Sequence, residues 1–201
     1  MRPSTRDASQ SSNPMRIVAG RWRGRALQAP PGAGTRPTAD RVRQGLFDAL
    51  WHAPWAGRAV VESAVVLDTF AGTGALGLEA LSRGAARAVF MEQDRAALAV
   101  LRANIAALKA EGLARVVAGD VRRPPRADAP CSLLFLDPPY GKDLGPAALE
   151  ALRAAGWIAP GALACLEVGR EETVPELPGW KIVAEREQGA ARMIVLREGT
   201  G

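Results

Sequence analysis

Asp137-Pro138-Pro139-Tyr140 closes the apolar run Leu133-Leu134-Phe135-Leu136 and precedes Gly141, so a buried strand stops at an acid, two prolines and an aromatic ring. Neither proline has a backbone N–H to donate, and Pro139 steers Pro138 away from the α region, leaving carbonyls that face a cleft instead of a ladder. A flat base carrying an amino group suits that slot. The Asp137 carboxylate and a backbone carbonyl accept its N–H groups, and the Tyr140 ring stacks on its face. This is chemistry on a nucleobase.

A second constellation lies upstream. Val65-Val66-Leu67-Asp68-Thr69-Phe70-Ala71-Gly72-Thr73-Gly74-Ala75-Leu76-Gly77 reads as a strand, a glycine-rich turn and a helix start, where the backbone can pass close to a ligand and present free N–H groups. Gly72-x-Gly74-x-x-Gly77 matches the dinucleotide fingerprint, and Glu92, 20 residues after Gly72, ends the next strand where an acid binds ribose hydroxyls. By this loop alone a nicotinamide dinucleotide and S-adenosylmethionine stay hard to separate. Asp68 tilts the choice: its carboxylate repels a pyrophosphate but suits the charged amino group of a methionine moiety. Asp120, following Val117-Ala118-Gly119, is placed either to accept from an adenine amino group or to sit as a solvated loop acid.

These residues need elements to hold them. From residue 64 onward, short apolar runs alternate with helical stretches: strands at 64–69, 88–92, 115–118, 131–136 and 162–168, helices at 74–83, 94–110 and 146–155. Near-continuous apolar strands between helices predict a parallel sheet covered on both faces, a doubly wound Rossmann-like α/β domain. Trp180 to Glu187 and Arg192 to Arg197 are joined by Gln188-Gly189-Ala190, too short for a crossover helix, so this last pair runs antiparallel. Upstream, Arg16-Ile17-Val18-Ala19-Gly20 and Arg25-Ala26-Leu27 read as a small hairpin tipped by Arg21-Trp22-Arg23-Gly24. Thr38 is placed to cap a helix running to about Trp51, with Val42, Leu46, Phe47 and Leu50 on one face. Residues 1–14 have little to bury and are expected to be a disordered tail. The division expected is a tail at 1–14, a basic hairpin-and-helix extension at 15–57 and the main domain at 58–201.

Composition narrows the partners. No apolar run reaches about 18 residues, the start lacks the core of a signal peptide, and a cytoplasmic location without a membrane span is expected. Cys131, Cys165 and the single histidine, His52, cannot assemble a metal site, so no metal is expected. The net charge is +5, yet residues 1–43 hold nine arginines against Asp7 and Asp40, so the rest of the chain is net negative. A basic arm on a near-neutral body fits a phosphate-backbone partner, with Arg21, Trp22, Arg23, Arg25, Arg36, Arg41 and Arg43 as candidate RNA contacts.

Asp68-x-Phe70-x-Gly72-x-Gly74, Glu92 and Asp137-Pro138-Pro139-Tyr140, in this order, resemble the class I S-adenosylmethionine-dependent amino-methyltransferases. With Arg16 to Arg25, Arg36-Pro37-Thr38-Ala39-Asp40-Arg41-Val42-Arg43 and Leu46-Phe47, residues 15 to about 197 are similar to the bacterial small-subunit (16S) ribosomal RNA guanine-N2 methyltransferases of the RsmD type. Gln44 stands where that family usually has glutamate.

The resemblance implies a seven-stranded sheet with an antiparallel last strand. It also implies a cofactor site formed by Thr38, Asp68, Phe70, Ala71, Gly72, Gly74, Glu92, Gln93 and Asp120, and a catalytic slot formed by Asp137, the Pro138 carbonyl and Tyr140. The implied cofactor is S-adenosylmethionine, and the implied partner is ribosomal RNA or the small-subunit particle, met by a monomer. Rival readings are a DNA or RNA adenine-N6 methyltransferase, an NAD-dependent dehydrogenase and a non-catalytic RNA-binding assembly factor.

Overall fold

The computed structural model describes residues 15–29, 37–139 and 144–199, with the side chains of 37–39 and 188 outside that description. In chain order the elements are α1 (Pro37–His52), β1 (Val65–Thr69), α2 (Ala75–Ser82), β2 (Arg87–Glu92), α3 (Arg95–Ala107), β3 (Ala114–Ala118), β4 (Cys131–Leu136), α4 (Leu144–Ala154), β5 (Ile158–Gly169), β6 (Trp180–Gln188) and β7 (Ala191–Glu198). The strands form one sheet in the order β3-β2-β1-β4-β5-β7-β6, parallel except for β7, which pairs antiparallel with β5 and β6. This is the doubly wound sheet that the alternating pattern predicts.

The apolar strands are continuous because both of their faces are covered. Val66, Phe90, Leu133, Phe135 and Cys165 point into one core with Leu46, Phe47 and Leu50 of α1 and Leu78 and Leu81 of α2. Their neighbours Leu67, Met91, Leu134, Leu136 and Leu166 point into the other, against Ala148, Leu149 and Leu152 of α4. The first core also takes Ile17 and Leu27, so the N-terminal segment is part of the same packed body.

Some elements differ from the sequence-based expectation. The helix α1 begins at Pro37, whose fixed φ favours the first helical position, so Thr38 lies within the first turn and does not precede it as a cap. β5 begins at Ile158 instead of 162: its register shifts between Cys131↔Ile158 and Leu133↔Leu163, so Pro160-Gly161 forms a bulge inside the strand and not a break before it. The N-terminal hairpin has a single antiparallel bridge, Arg16↔Ala26.

That small hairpin is held from below by α2. Glu79, fully buried, accepts from the backbone N–H of Val18 (2.7 Å) and Ala19 (2.9 Å), and pairs with Arg83 (2.8 Å) and Arg43 (3.5 Å). One turn on, the Ser82 hydroxyl accepts from Trp22 N–H and donates to the Ala19 carbonyl, while its own carbonyl accepts from Arg21 N–H. The approach requires Gly20: with φ 78°, a Cβ there would meet the Ser82 carbonyl oxygen at 1.9 Å. Removing Glu79 would leave the buried Arg83 guanidinium without a counter-charge, Arg43 with Asp40 alone, and two backbone donors unmade. Glu79→Ala is expected to lower stability by about 3–5 kcal/mol, read from denaturant midpoints, and to expose the 15–29 segment to proteolysis first.

Candidate active site

The connections from β1 run outward through β2 to β3, and those from β4 run the other way to β5, so the chain reverses direction between β1 and β4. In such sheets a crevice opens beyond the carboxyl ends of the strands at that point. Here it is a cleft of about 710 Å³ lined by Phe70, Glu92, Gln93, Asp120, Asp137 and Pro138. These residues come from four different strand ends, and the sequence placed all six in the site. Met91, Asp94, Val121, Arg122, Leu144 and Glu167 also line it and were not anticipated. Glu167 left a signal, a lone acid between Leu166 and Val168 in an apolar strand.

The glycine loop is fastened internally. Phe70 adopts φ 55°, unusual for a bulky residue, and sends the chain across the top of β1. Ala71 N–H donates to the Met91 carbonyl (3.0 Å), Gly72 N–H to the Glu92 carboxylate (2.8 Å) and Gly74 N–H to the Ala71 carbonyl (2.7 Å). The other Glu92 oxygen accepts from the N–H groups of Gln93 and Asp94. The Asp68 carboxylate accepts from Gly77 N–H in the first turn of α2 (2.8 Å). Gly77 is needed there because a Cβ would lie 2.4 Å from the Phe90 ring. The Gly77 N–H in the first turn of α2 and the Gly72 N–H in the loop before it, two donors that a pyrophosphate would use, are therefore taken by the protein's own carboxylates. This separates the loop from the dinucleotide reading that its sequence left open.

Electrostatics mark two of the acids. Asp68 is buried and has no ion-pair partner among the described residues; burial, then the charges of Asp137 and Glu92, push its pKa up to about 8 against the pull of Gly77 N–H. Asp137 reaches solvent at the cleft surface, yet protein crowds the carboxylate, and this poor hydration followed by the Glu167 charge raises it to about 7. The surface exposure understates how dry its surroundings are. Beside it the Thr69 hydroxyl donates to the Phe135 carbonyl (2.8 Å), locking the ends of β1 and β4 together. Asp120 differs: both its oxygens accept from the Arg122 guanidinium, which holds its pKa low. An adenine amino group would share that carboxylate with the guanidinium.

Residues placed in the RNA-contact set scatter. Arg21, Arg23, Arg25 and Arg41 are exposed. Arg21 stacks over Trp22 at 4.2 Å, with Trp22 itself half-buried, and Arg25 donates to the Ala107 carbonyl. Arg43 is a correction: only 4% exposed, it bonds Glu79, Asp40 and the Arg16 carbonyl inside the protein, so it fastens the arm and does not face a partner. The arm's base lies by the glycine loop, where Asn104 bonds both Gln28 and the Thr73 carbonyl, but its tip lies at Ser82, the far end of the eight-residue α2. Tip and glycine loop are thus roughly 12 Å apart along that helix. Tyr140, Arg36 and the tail at 1–14 lie outside the described residues, as does the side chain of Thr38.

Comparison with known proteins agrees with this geometry. A family model described as conserved hypothetical protein 95 matches residues 15–197. The ribosomal RNA small subunit methyltransferase D of Escherichia coli K12 is 42% identical over 193 residues, covering 94% of this chain and 93% of that protein. Its counterpart from Haemophilus influenzae is 34% identical over 179 residues, covering 87% and 89%. The solved structure of the Escherichia coli protein yhhF superposes with a TM-score of 0.80 at 38% identity, covering 93% of this chain and 99% of that one.

The raised pKa of Asp68 has a measurable consequence. A carboxyl that titrates near 8 when folded and near 3.8 when unfolded holds its proton more tightly in the folded state, so its contribution to stability falls as pH rises from about 4 to about 8. Asp68→Asn keeps an acceptor for Gly77 N–H and cannot ionise. Denaturation at pH 5 and pH 9 should show a smaller loss of stability with rising pH in the variant than in the wild type.

Proposed function

The chain belongs to the RsmD family of ribosomal RNA small subunit methyltransferases, and from that premise we propose that it methylates the exocyclic N2 amine of a guanine in small-subunit (16S) ribosomal RNA, using S-adenosylmethionine. The observation that carries the reading is the pair of poorly hydrated carboxylates on neighbouring strand ends, Asp137 lining the cleft and Asp68 buried behind it. The residues fit the proposed donor. Asp68, buried without a cation, suits its ammonium group; Glu92, at the end of β2, suits its ribose hydroxyls; Asp120 and Arg122 border the place for its adenine.

When bound, S-adenosylmethionine supplies a methyl carbon made electrophilic by its sulfonium, and the sulfur keeps the S–C electron pair when the methyl leaves. The amine of guanine is a poor nucleophile because its lone pair is delocalised into the ring. Asp137 and the Pro138 carbonyl accept its two hydrogens, which favours a pyramidal nitrogen with the lone pair aimed along the line of transfer. As the N–C bond forms, the nitrogen becomes cationic and acidic, and its proton passes to the Asp137 carboxylate or to water. Positioning and charge stabilisation supply most of the acceleration, with no strong base needed. The base must be unpaired or flipped from its stack to enter.

Arg21, Arg23 and Arg25 at the far end of α2 then hold a separate stretch of the same RNA by its phosphates. Incubating the protein with labelled S-adenosylmethionine and small subunits from a strain lacking it, then mapping the modified base, tests the reading; a label on an adenine N6 would refute it. Asp137→Ala is expected to lose at least about 100-fold in kcat while binding S-adenosylmethionine almost normally in calorimetry. Because the ionised carboxylate is the stronger acceptor and can take up the amine proton, kcat/KM should fall as pH drops through about 7, a limb that Asp137→Asn removes. Replacing Arg21, Arg23 and Arg25 together by alanine should weaken RNA binding and reduce the slope of log affinity against log salt.

A further inference from the structure

Asp137 and the Pro138 carbonyl accept hydrogens from any purine amine, and nothing in that grip separates guanine from adenine. On the structure, the next group along the sheet supplies the distinction. β4 and β5 pair in parallel with Leu136 opposite Leu166, so Asp137 and Glu167 each follow a paired residue on adjacent strands, whose axes lie about 4.8 Å apart. Leu136 and Leu166 point into one core and Phe135 and Cys165 into the other, so residues 137 and 167 turn together toward the face of Phe135 and Cys165. Both line the cleft. The Glu167 charge acts on Asp137, as expected for carboxylates that share one recess.

We infer that Glu167 reads the Watson–Crick edge of the target base, accepting the N1–H of guanine beside the amine that Asp137 holds. The inference rests on the guanine-N2 reading above. Guanine presents N1–H and N2–H₂ as adjacent donors on one edge, which matches two carboxylates on adjacent strand ends. Adenine presents its amine beside a bare N1 lone pair, which would face the Glu167 carboxylate without a hydrogen between them. Such an unpaired polar contact discriminates more strongly than a difference in size, because the site is built to hydrogen-bond a group the wrong base lacks. Glu167 thus selects the base, while Asp68 and the glycine loop have no part in that choice.

The test uses small-subunit RNA, in the form that accepts methyl groups, with either guanine or 2-aminopurine at the mapped position. 2-Aminopurine keeps the amine and lacks the N1 hydrogen. Wild type should prefer guanine by at least about 100-fold in kcat/KM. Glu167→Gln offers either an acceptor or a donor to N1, and should bring the two substrates within about tenfold of each other. Glu167→Ala should slow guanine far more than 2-aminopurine. S-adenosylmethionine affinity, measured by calorimetry, should stay unchanged in both variants, a control that the cleft remains folded. A guanine preference as large in Glu167→Gln as in wild type overturns the inference, as does equal use of both bases by wild type. If wild type transfers nothing to guanine N2, the functional reading itself fails and this inference falls with it.

Discussion

Parallel pairing of β1 with β4 is the constraint on which the cleft depends. It sets Asp68 opposite Phe135 and Thr69 opposite Leu136, so the buried acid of one strand lies behind the cleft-lining acid that follows the other. Asp137, Glu167 on β5 and Glu92 on β2 line the cleft with Asp68 buried behind them, and among the described residues no cation pairs with Asp68 or Asp137. Left in water, these acids would ionise and separate. The sheet holds them because its ladders and two apolar cores fix the strand ends independently of the charges, and the acids respond by keeping their protons to higher pH. A cation or a hydrogen-bond donor placed among them would relieve part of that repulsion, so the unfavourable arrangement of these acids favours ligands of that chemistry.

A second acid does the opposite work. Glu79 is as buried as Asp68 but meets two guanidinium groups and two backbone N–H groups, and it binds the N-terminal segment to α2. The same helix therefore has Asp68 at its first turn and the arm at its last. Any force that tilts α2 moves the glycine loop and the arm together, and Asn104, bonded to Gln28 and Thr73, ties them again at the near end. The arm is part of the frame of the glycine loop as well as a carrier of positive charge.

The order of strands and helices, the antiparallel end of the sheet and the principal acids of the cleft were legible in the sequence, because each rests on local periodicity or on a short spacing. What escaped rests on contacts between distant residues. Arg43 sits in a run of arginines and reads as part of a basic surface; only the fold brings it within 3.5 Å of Glu79, 36 positions away. Glu167 reads as one polar residue in an apolar strand until the register with β4 sets it beside Asp137. The pairing of Asp120 with Arg122 was within reach of the sequence, two residues apart, yet nothing local says that the guanidinium folds back and does not extend into water. The strand expected at 162–168 begins earlier, at Ile158, because a bulge accommodates Pro160-Gly161 within it.

The glycine loop shows why a motif needs its surroundings. Its three glycines satisfy the dinucleotide spacing, and the backbone follows the same strand-turn-helix course that such loops use to expose N–H groups to phosphate. Here Gly72 donates to Glu92, Gly74 to Ala71 and Gly77 to Asp68. A pyrophosphate would have to displace two acid side chains from these donors and would then lie against the Glu92 carboxylate, so both effects oppose it. The residue that changes the outcome is outside the glycine pattern: Asp68, on β1, four positions before Gly72. One acid at the strand end takes the N–H of the first helical turn that a phosphate would use, leaving the fold around it unchanged.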